Sequence, residues 1–207
     1  IASGGHTSTV YVHKRGEFEV IGQTLDDAAG EALDKGARLL GLGYPGGAEL
    51  DRLAASGEPE RVSFPIGLNR SGSFDFSFSG VKTSLYYHLR DMTPAEVECQ
   101  GSDIAAGYQA AVVAALVKKT LAAAESRDCD QVCLSGGVSA NSYLRRELAA
   151  ECRGRGIRLR IPPPELCTDN ASMSASAARY LPAVPFPDYL SCGAAASGAV
   201  SARVARH

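Results

Sequence analysis

Two β-branched, partly alternating runs, Thr7 to His13 and Glu17 to Thr24, flank Lys14-Arg15-Gly16, and this pattern predicts an antiparallel hairpin. Thr24 followed by Asp27 resembles a capping box with Asp in place of Glu. Ala28, Ala32, Leu33, Ala37 and Leu40 then recur at helical spacing up to Gly41. A Gly and Pro turn at Gly43 to Gly47 leads into a short helical pattern ending near Ala55. Phe74, Phe76 and Phe78 alternate with Asp75 and Ser77, which predicts a strand with one aromatic face inward. Val81, Leu85, Tyr86 and Leu89 mark a helix, and Asp103 to Ala124 reads as a longer Ala-rich helix capped at Ser102 or Asp103. The remainder alternates strand (Gln131 to Ser135), glycine turn (Gly136-Gly137), helix (Asn141 to Arg153), strand (Ile157 to Ile161) and helix (Asp169 to Tyr180). Elements of those lengths in that order imply an α/β layer with parallel pairing. Beyond Leu181 the chain turns Pro-rich, then rich in Ala, Ser and Gly, and no fixed structure is assigned to it.

The chain has 207 residues, 45% hydrophobic and 21% charged, enough to bury a core without staples. Its net charge of -2 gives no whole-chain field for a general nucleic-acid or membrane binder. No apolar run approaches the ~18 residues of a membrane span and no targeting signal opens the chain, so a cytoplasmic location without membrane is expected. The six cysteines form no C-x-x-C pair and are expected to be reduced, with Cys129 and Cys133 acting as small hydrophobes near a buried strand. Ile1 in place of Met, entering at once into Ile-Ala-Ser-Gly-Gly-His-Thr, reads as a fragment.

Gly41-Leu42-Gly43-Tyr44-Pro45-Gly46 satisfies G-x-G-x-x-G, but it follows a helix and Pro45 interrupts it. A Rossmann site is therefore rejected, leaving no ground for a nicotinamide or flavin; a P-loop motif is absent too. Two other glycine pairs, Ser3-Gly4-Gly5 and Ser135-Gly136-Gly137, follow apolar residues suited to strands. Without Cβ atoms they let backbone N–H groups approach an anion, and either is also read as a plain tight turn. Two in one α/β chain favour a nucleotide cleft.

Six blocks then occur in order: Ser3-Gly4-Gly5-His6-Thr7; Asp26-Asp27-Ala28-Ala29-Gly30-Glu31-Ala32 with Asp34-Lys35; Tyr44-Pro45-Gly46-Gly47; Phe76-Ser77-Phe78-Ser79-Gly80 with Lys82-Thr83; Ser135-Gly136-Gly137-Val138-Ser139-Ala140-Asn141; and Cys167-Thr168-Asp169-Asn170. Together they resemble the successive signatures of the TsaD family, formerly called O-sialoglycoprotein endopeptidase or glycoprotease. The resemblance implies an α/β actin-like, Hsp70-like ATPase (sugar-kinase) fold. Residues 1–180 would be largely its second lobe, a mixed sheet flanked by helices, and 181–207 a tail unlike the family's usual ending. It implies transfer of a threonylcarbamoyl group from threonylcarbamoyl-AMP to the N6 amine of adenosine 37 in tRNAs reading codons that begin with A. Carried over by position, Ile1, Ala2, Ser3, Gly4 and Gly5 would line the donor's acyl and phosphate part. Asp34 would accept from ribose hydroxyls, Gly47 would lie against the nucleoside, and Asn141 would bind the nucleotide. Asp51 falls where some relatives carry an acidic ribose ligand. Asp169 would ligate one divalent metal ion per subunit, iron rather than zinc, acting as a Lewis acid. By residue type alone Asp34 also reads as a helix acid, Asn141 as a helix cap and Asp169 as an N-cap. Lys82 is read as supporting a strand-to-helix junction.

The pattern departs from the family at the metal site, which needs two histidines four apart; His6, His13, His88 and His207 include no such pair. The chain alone is accordingly expected to be inactive. Arg145, Arg146, Arg153, Arg155, Arg158 and Arg160 form a run that reads equally as a tRNA phosphate contact or a solvated face. Expected partners are the tRNA anticodon loop and TsaB-like and TsaE-like helper proteins. The competing readings are an ATP-dependent phosphotransferase or ATPase of the same fold, and a non-catalytic remnant.

Overall fold

A computed structural model describes residues 1–69, 72–180 and 183–191. The hairpin forms as its pattern demands: β1 (Ser8–Lys14) pairs antiparallel with β2 (Glu17–Gln23) across a turn at Gly16. The parallel pair also forms, β3 (Gln131–Cys133) beside β4 (Arg158–Arg160), with Val132 opposite Leu159. The expected mixed sheet is present in short pieces joined by single contacts. Ala2 bridges antiparallel to Thr7 ahead of β1 and donates its N–H to Ser135 O at 2.8 Å beyond β3. At the far side Thr24 bridges to Phe76. The layer thus runs β4, β3, residue 2, β1, β2, residue 76.

Phe74 to Phe78 is therefore not a strand. One bridge is all its backbone shares with β2, although Phe76 and Phe78 are buried and stacked 6.1 Å apart as the alternation requires. Burial of the rings, worth roughly 2–3 kcal/mol each, holds the segment without a ladder.

Six α-helices complete the described fold: α1 (Ala29–Leu39), α2 (Gly46–Ala54), α3 (Ser79–Arg90), α4 (Pro94–Ser126), α5 (Ser142–Gly154) and α6 (Ala171–Ala178). Helix α4 packs against α1, α2, α3 and α5 and against β1 and β3. Its 33 residues start nine residues earlier than the apolar pattern suggests, because Thr93, Pro94 and Glu96 form a full capping box. Asp103, expected as a cap, instead accepts from Glu58 N–H at 2.9 Å. In length and composition α4 could cross a membrane, which the sequence reading missed because Gln109, Lys118 and Lys119 interrupt the run. Its most apolar window is 78% buried within the protein, so that surface serves the core.

The local cap expected for α1 is replaced by a distant one. Thr24 Oγ1 donates to Asp27 O, while Thr7, 22 residues before Ala29 and itself buried, accepts the Ala29 N–H through Oγ1 at 2.8 Å. Thr7→Val keeps the side-chain shape and removes this acceptor. A loss of about 1–2 kcal/mol is expected in the urea unfolding curve.

Two smaller expectations are corrected. Asn170, not Asp169, caps α6, its Oδ1 accepting from Met173 N–H. Cys133 is exposed and Cys129 half-buried, since the three-residue β3 turns only Val132 fully inward; Cys152 and Cys167 are the buried thiols. Cys192 and most of the tail after Leu181 lie outside the described residues, and 183–191 carry one 3-10 turn at Asp188–Ser191.

Candidate functional site

The two glycine bends meet. Gly136 has φ of +96°, a conformation open to glycine, and a Cβ there would run into the backbone of Ala2. Val138 N–H donates to Ala2 O at 3.0 Å. A 3-10 turn (Gly137–Ala140) intervenes before α5, so the second bend does not lead straight into the helix as expected. The first bend packs on α1: Gly30 N–H donates to Ser3 O at 3.1 Å, and a Cβ on Gly30 would lie 2.7 Å from that oxygen.

From Gly30 the circuit continues along one face of α1, since residues four apart share a face. Asp34 is half-buried and its Oδ1 accepts from Gly47 N–H at 2.7 Å, which anchors the start of α2. Among the described residues its Oδ2 accepts nothing, leaving lone pairs for a further donor. One turn along α2, Asp51 accepts from Ser142 N–H at 3.0 Å and from Ser142 Oγ at 2.9 Å. Asp51 therefore ties α2 to the first turn of α5, with both oxygens already engaged. Beside it Asn141 accepts from Leu144 N–H at 2.8 Å and donates Nδ2–H to Gln109 Oε1 at 2.9 Å. The helix-cap reading of Asn141 is what the geometry displays. Thus Ala2, Ser3, Gly4, Asp34, Gly47, Asp51, Asn141 and Gly136 belong to one connected circuit. Ile1 is more than half exposed and accepts from Ser8 N–H through its carbonyl; Gly5 is exposed beside the first bend.

Sequence reasoning missed two supports of this circuit. Gln109 is 2% exposed, a lone amide inside the Ala and Val run of α4, and that interruption was the available signal. Asp26 carries no such local signal. Its carboxylate accepts from Ser77 Oγ, Phe78 N–H, Ser79 N–H and Ser79 Oγ, capping α3 from the loop before α1. Asp27 lies between Lys35 Nζ at 2.8 Å and Lys82 Nζ at 3.1 Å, so Lys82 supports the entry to α1.

Burial raises the pKa of both acids, but the hydrogen bonds to Asp26, and those from Lys35 and Lys82 to Asp27, outweigh it and hold each below the ordinary 3.8. A lowered folded-state pKa contributes stability that is present above the unfolded value and disappears as pH falls through the folded value. The thermal midpoint is therefore expected to drop as pH falls below about 4, and Asp27→Asn is expected to flatten that drop in an acid melting series.

Asp169 is exposed, and the Thr168 methyl beside it lies 3.9 Å from where a Cβ on Gly137 would stand. Among the described residues no three His, Cys, Asp or Glu side chains come together as a metal site. One carboxylate does not hold an ion, so these residues do not fit a complete centre, and no chemical step is assigned to one here. The arginine run also separates. Arg145 turns inward to Ser139 O and Pro162 O, Arg146 pairs with Glu147, Arg155 with Glu125 and Glu151, and Arg158 with Asp130.

The family model for TsaD, tRNA N6-adenosine threonylcarbamoyltransferase, matches residues 1–176. The chain belongs to the TsaD family. Curated relatives of that name include one from Symbiobacterium thermophilum, 50% identical over 181 residues, which are 87% of this chain and 52% of the relative. Another, from Geobacter metallireducens, is 51% identical over 191 residues, 92% of this chain and 54% of the relative. A third, from Geobacter sulfurreducens, aligns over 204 residues at 47% identity, and so continues past Leu181, where a departure from the family was expected. This TsaD-family chain spans about half the length of the curated relatives it matches. Among solved structures, HypF of T. kodakarensis aligns with 70% of this chain and 18% of its own, at TM-score 0.49 and 21% identity, too slight a likeness to assign a fold.

Proposed function

We propose that the circuit of glycine bends, Asp34, Gly47 and Asn141 is one wall of a site that transfers a threonylcarbamoyl group from threonylcarbamoyl-AMP to the N6 amine of adenosine 37 in tRNAs reading codons that begin with A. The proposed framework is the second lobe of an actin-like, sugar-kinase ATPase fold. The observation that carries this reading is the Asp34–Gly47 hydrogen bond, one turn of α1 from Gly30 where the first glycine bend packs, with the second Asp34 oxygen accepting nothing among the described residues. Among the described residues the Gly4 and Gly5 N–H groups donate to nothing, which suits a phosphate, and Asp34 Oδ2 suits a ribose hydroxyl.

In the reaction the N6 lone pair attacks the carbamoyl carbonyl carbon. The bond from that carbon to the phosphate oxygen breaks, AMP leaves with the electron pair, and the nitrogen loses a proton. An aromatic amine is a weak nucleophile, so holding both reactants in place is the main contribution the residues can make. An unpaired anticodon-loop base is cheap to splay toward the site. The proposal includes Asp169 as one carboxylate toward a divalent ion whose other donors are not among the described residues, and TsaB-like and TsaE-like proteins as helpers.

The test is incubation of a protein of the relatives' full length that carries these residues, with its helpers, threonylcarbamoyl-AMP and unmodified tRNA, followed by nucleoside mass spectrometry. Threonylcarbamoyladenosine and released AMP in equal amounts are expected. Phosphorylation of a sugar from ATP, without modified tRNA, would reject this reading for a phosphotransferase.

A further inference from the structure

Beside the Asp34 circuit, α1 and α3 enclose a cleft of about 280 Å³ lined by Lys35, Arg38, Leu39, Lys82, Thr83 and Tyr86. Arg38 lies one turn beyond Asp34 on the same face of α1, about 6 Å along the axis, so the cleft opens next to the proposed donor site. Its cations are held in different ways. Asp27, with a side chain only 16% exposed, fixes the Lys35 and Lys82 ammonium groups from behind, and Glu31 takes Lys35 at 2.7 Å. Arg38 is exposed and makes no ion pair among the described residues. Asp27 and Glu31 neutralise the two lysines, while the Arg38 guanidinium, with Asp34 one turn away on the same face, is the cation left to meet a ligand.

Tyr86 supplies the other half of the cleft. It is 52% exposed, and Tyr87 meets it at 5.6 Å with the rings inclined by 65°. An exposed ring steadied from one side, next to an unpaired guanidinium and two positioned ammonium groups, matches the needs of a flexible nucleic-acid strand. Phosphates take the cations, and unstacked bases recover stacking on the ring. A duplex offers no free base to Tyr86, and an acidic peptide would use the cations alone.

We propose that this cleft binds single-stranded RNA, with Arg38 holding a phosphate and Tyr86 stacking on an unpaired base adjacent to the one modified. This deepens the reading of the site as a tRNA-modifying one and rests on it for the identity of the RNA.

The experiment measures binding of a fluorescent anticodon stem-loop by anisotropy across a salt series, using the purified protein. Arg38→Ala is expected to weaken binding and to reduce the slope of log K against log salt by about 0.7, the value for one single-strand phosphate. Tyr86→Ala is expected to weaken binding about tenfold while Tyr86→Phe keeps it. Both side chains are exposed, so the melting temperatures should match the parent protein. Calorimetric binding of threonylcarbamoyl-AMP should be unchanged in every variant. The proposal is overturned if the Arg38→Ala and Tyr86→Ala proteins bind the stem-loop like the parent. It is equally overturned if a loopless duplex or a polyglutamate peptide competes as well as the stem-loop. Loss of RNA binding in these variants, with no threonylcarbamoyl transfer by the full-length protein and its helpers, would keep the cleft and reject the transfer reading.

Discussion

Replacing Gly107 with alanine is expected to lower folding stability by about 3 kcal/mol, the upper range for overpacking a core. Helix α4 passes so close to the segment before Phe64 that a Cβ on Gly107 would overlap the Val62 carbonyl oxygen and approach Pro59 O at 3.4 Å. Both obstacles are backbone, so no rotamer relieves them. The same helix supplies an internal control at Gly101, where a Cβ would meet nothing within 4 Å. There alanine is expected to be neutral or to stabilise by roughly 0.5–1 kcal/mol, from helix propensity and the loss of unfolded-state freedom. Urea denaturation of the two variants separates a packing effect from a propensity effect. The consequence reaches the candidate site, because Gln109, two residues on, holds the Asn141 amide. If Gly107→Ala unfolds at the parent midpoint, the close approach of α4 to residue 62 is wrong.

Replacing Asp34 is expected to have the largest effect on activity. Asp34→Ala removes the acceptor that orients Gly47 N–H and the free oxygen assigned to a ribose hydroxyl. Hydrogen bonds to a charged group contribute about 1.5–3 kcal/mol each. In a protein of the relatives' full length that carries these residues, the specificity constant for threonylcarbamoyl-AMP should therefore fall on the order of a hundredfold. Asp34→Asn keeps a carbonyl oxygen for Gly47 and should lose about tenfold. Losing the acceptor for Gly47 N–H in the first turn of α2 should also lower unfolding stability by about 1–2 kcal/mol in Asp34→Ala, and by less in Asp34→Asn. Steady-state transfer rates at varied donor concentration, beside a denaturation curve, check both statements. An Asp34→Ala protein with an unchanged specificity constant would remove Asp34 from the site.

Much of this arrangement is legible in local pattern. The hairpin, α1, α2, α3 and α5 arise where turn residues and periodicity put them, because each forms through contacts between residues close in sequence, and the strand–helix–strand order of residues 131–161 implied the parallel pair β3–β4. The errors share one cause. Thr7 caps α1, Asp26 caps α3 and Asp51 meets the start of α5 from remote parts of the chain. No short window contains both partners. The Phe74 to Phe78 alternation correctly turned Phe76 and Phe78 inward, with Phe74 only half-buried, but whether a neighbouring backbone lay near enough for a ladder was not a local property. The arginine run read equally as a tRNA contact or a solvated face; the fold pairs Arg146, Arg155 and Arg158 with acids and turns Arg145 inward.

The ordered motif blocks by themselves determined the family, because residue identity at many spaced positions is information a linear chain carries in full. They also marked glycine at both bends. Only the tertiary structure decided that Ala2 lies against Gly136, that Ser3 lies against Gly30, and that Asp34 reaches Gly47 with its second oxygen left unengaged by the described residues. It also set Arg38 and Tyr86 on the two sides of one cleft. Those outcomes depend on how α1, α2, α4 and α5 pack, and packing is chosen by the sum of many weak apolar contacts across the whole fold, which no single segment encodes.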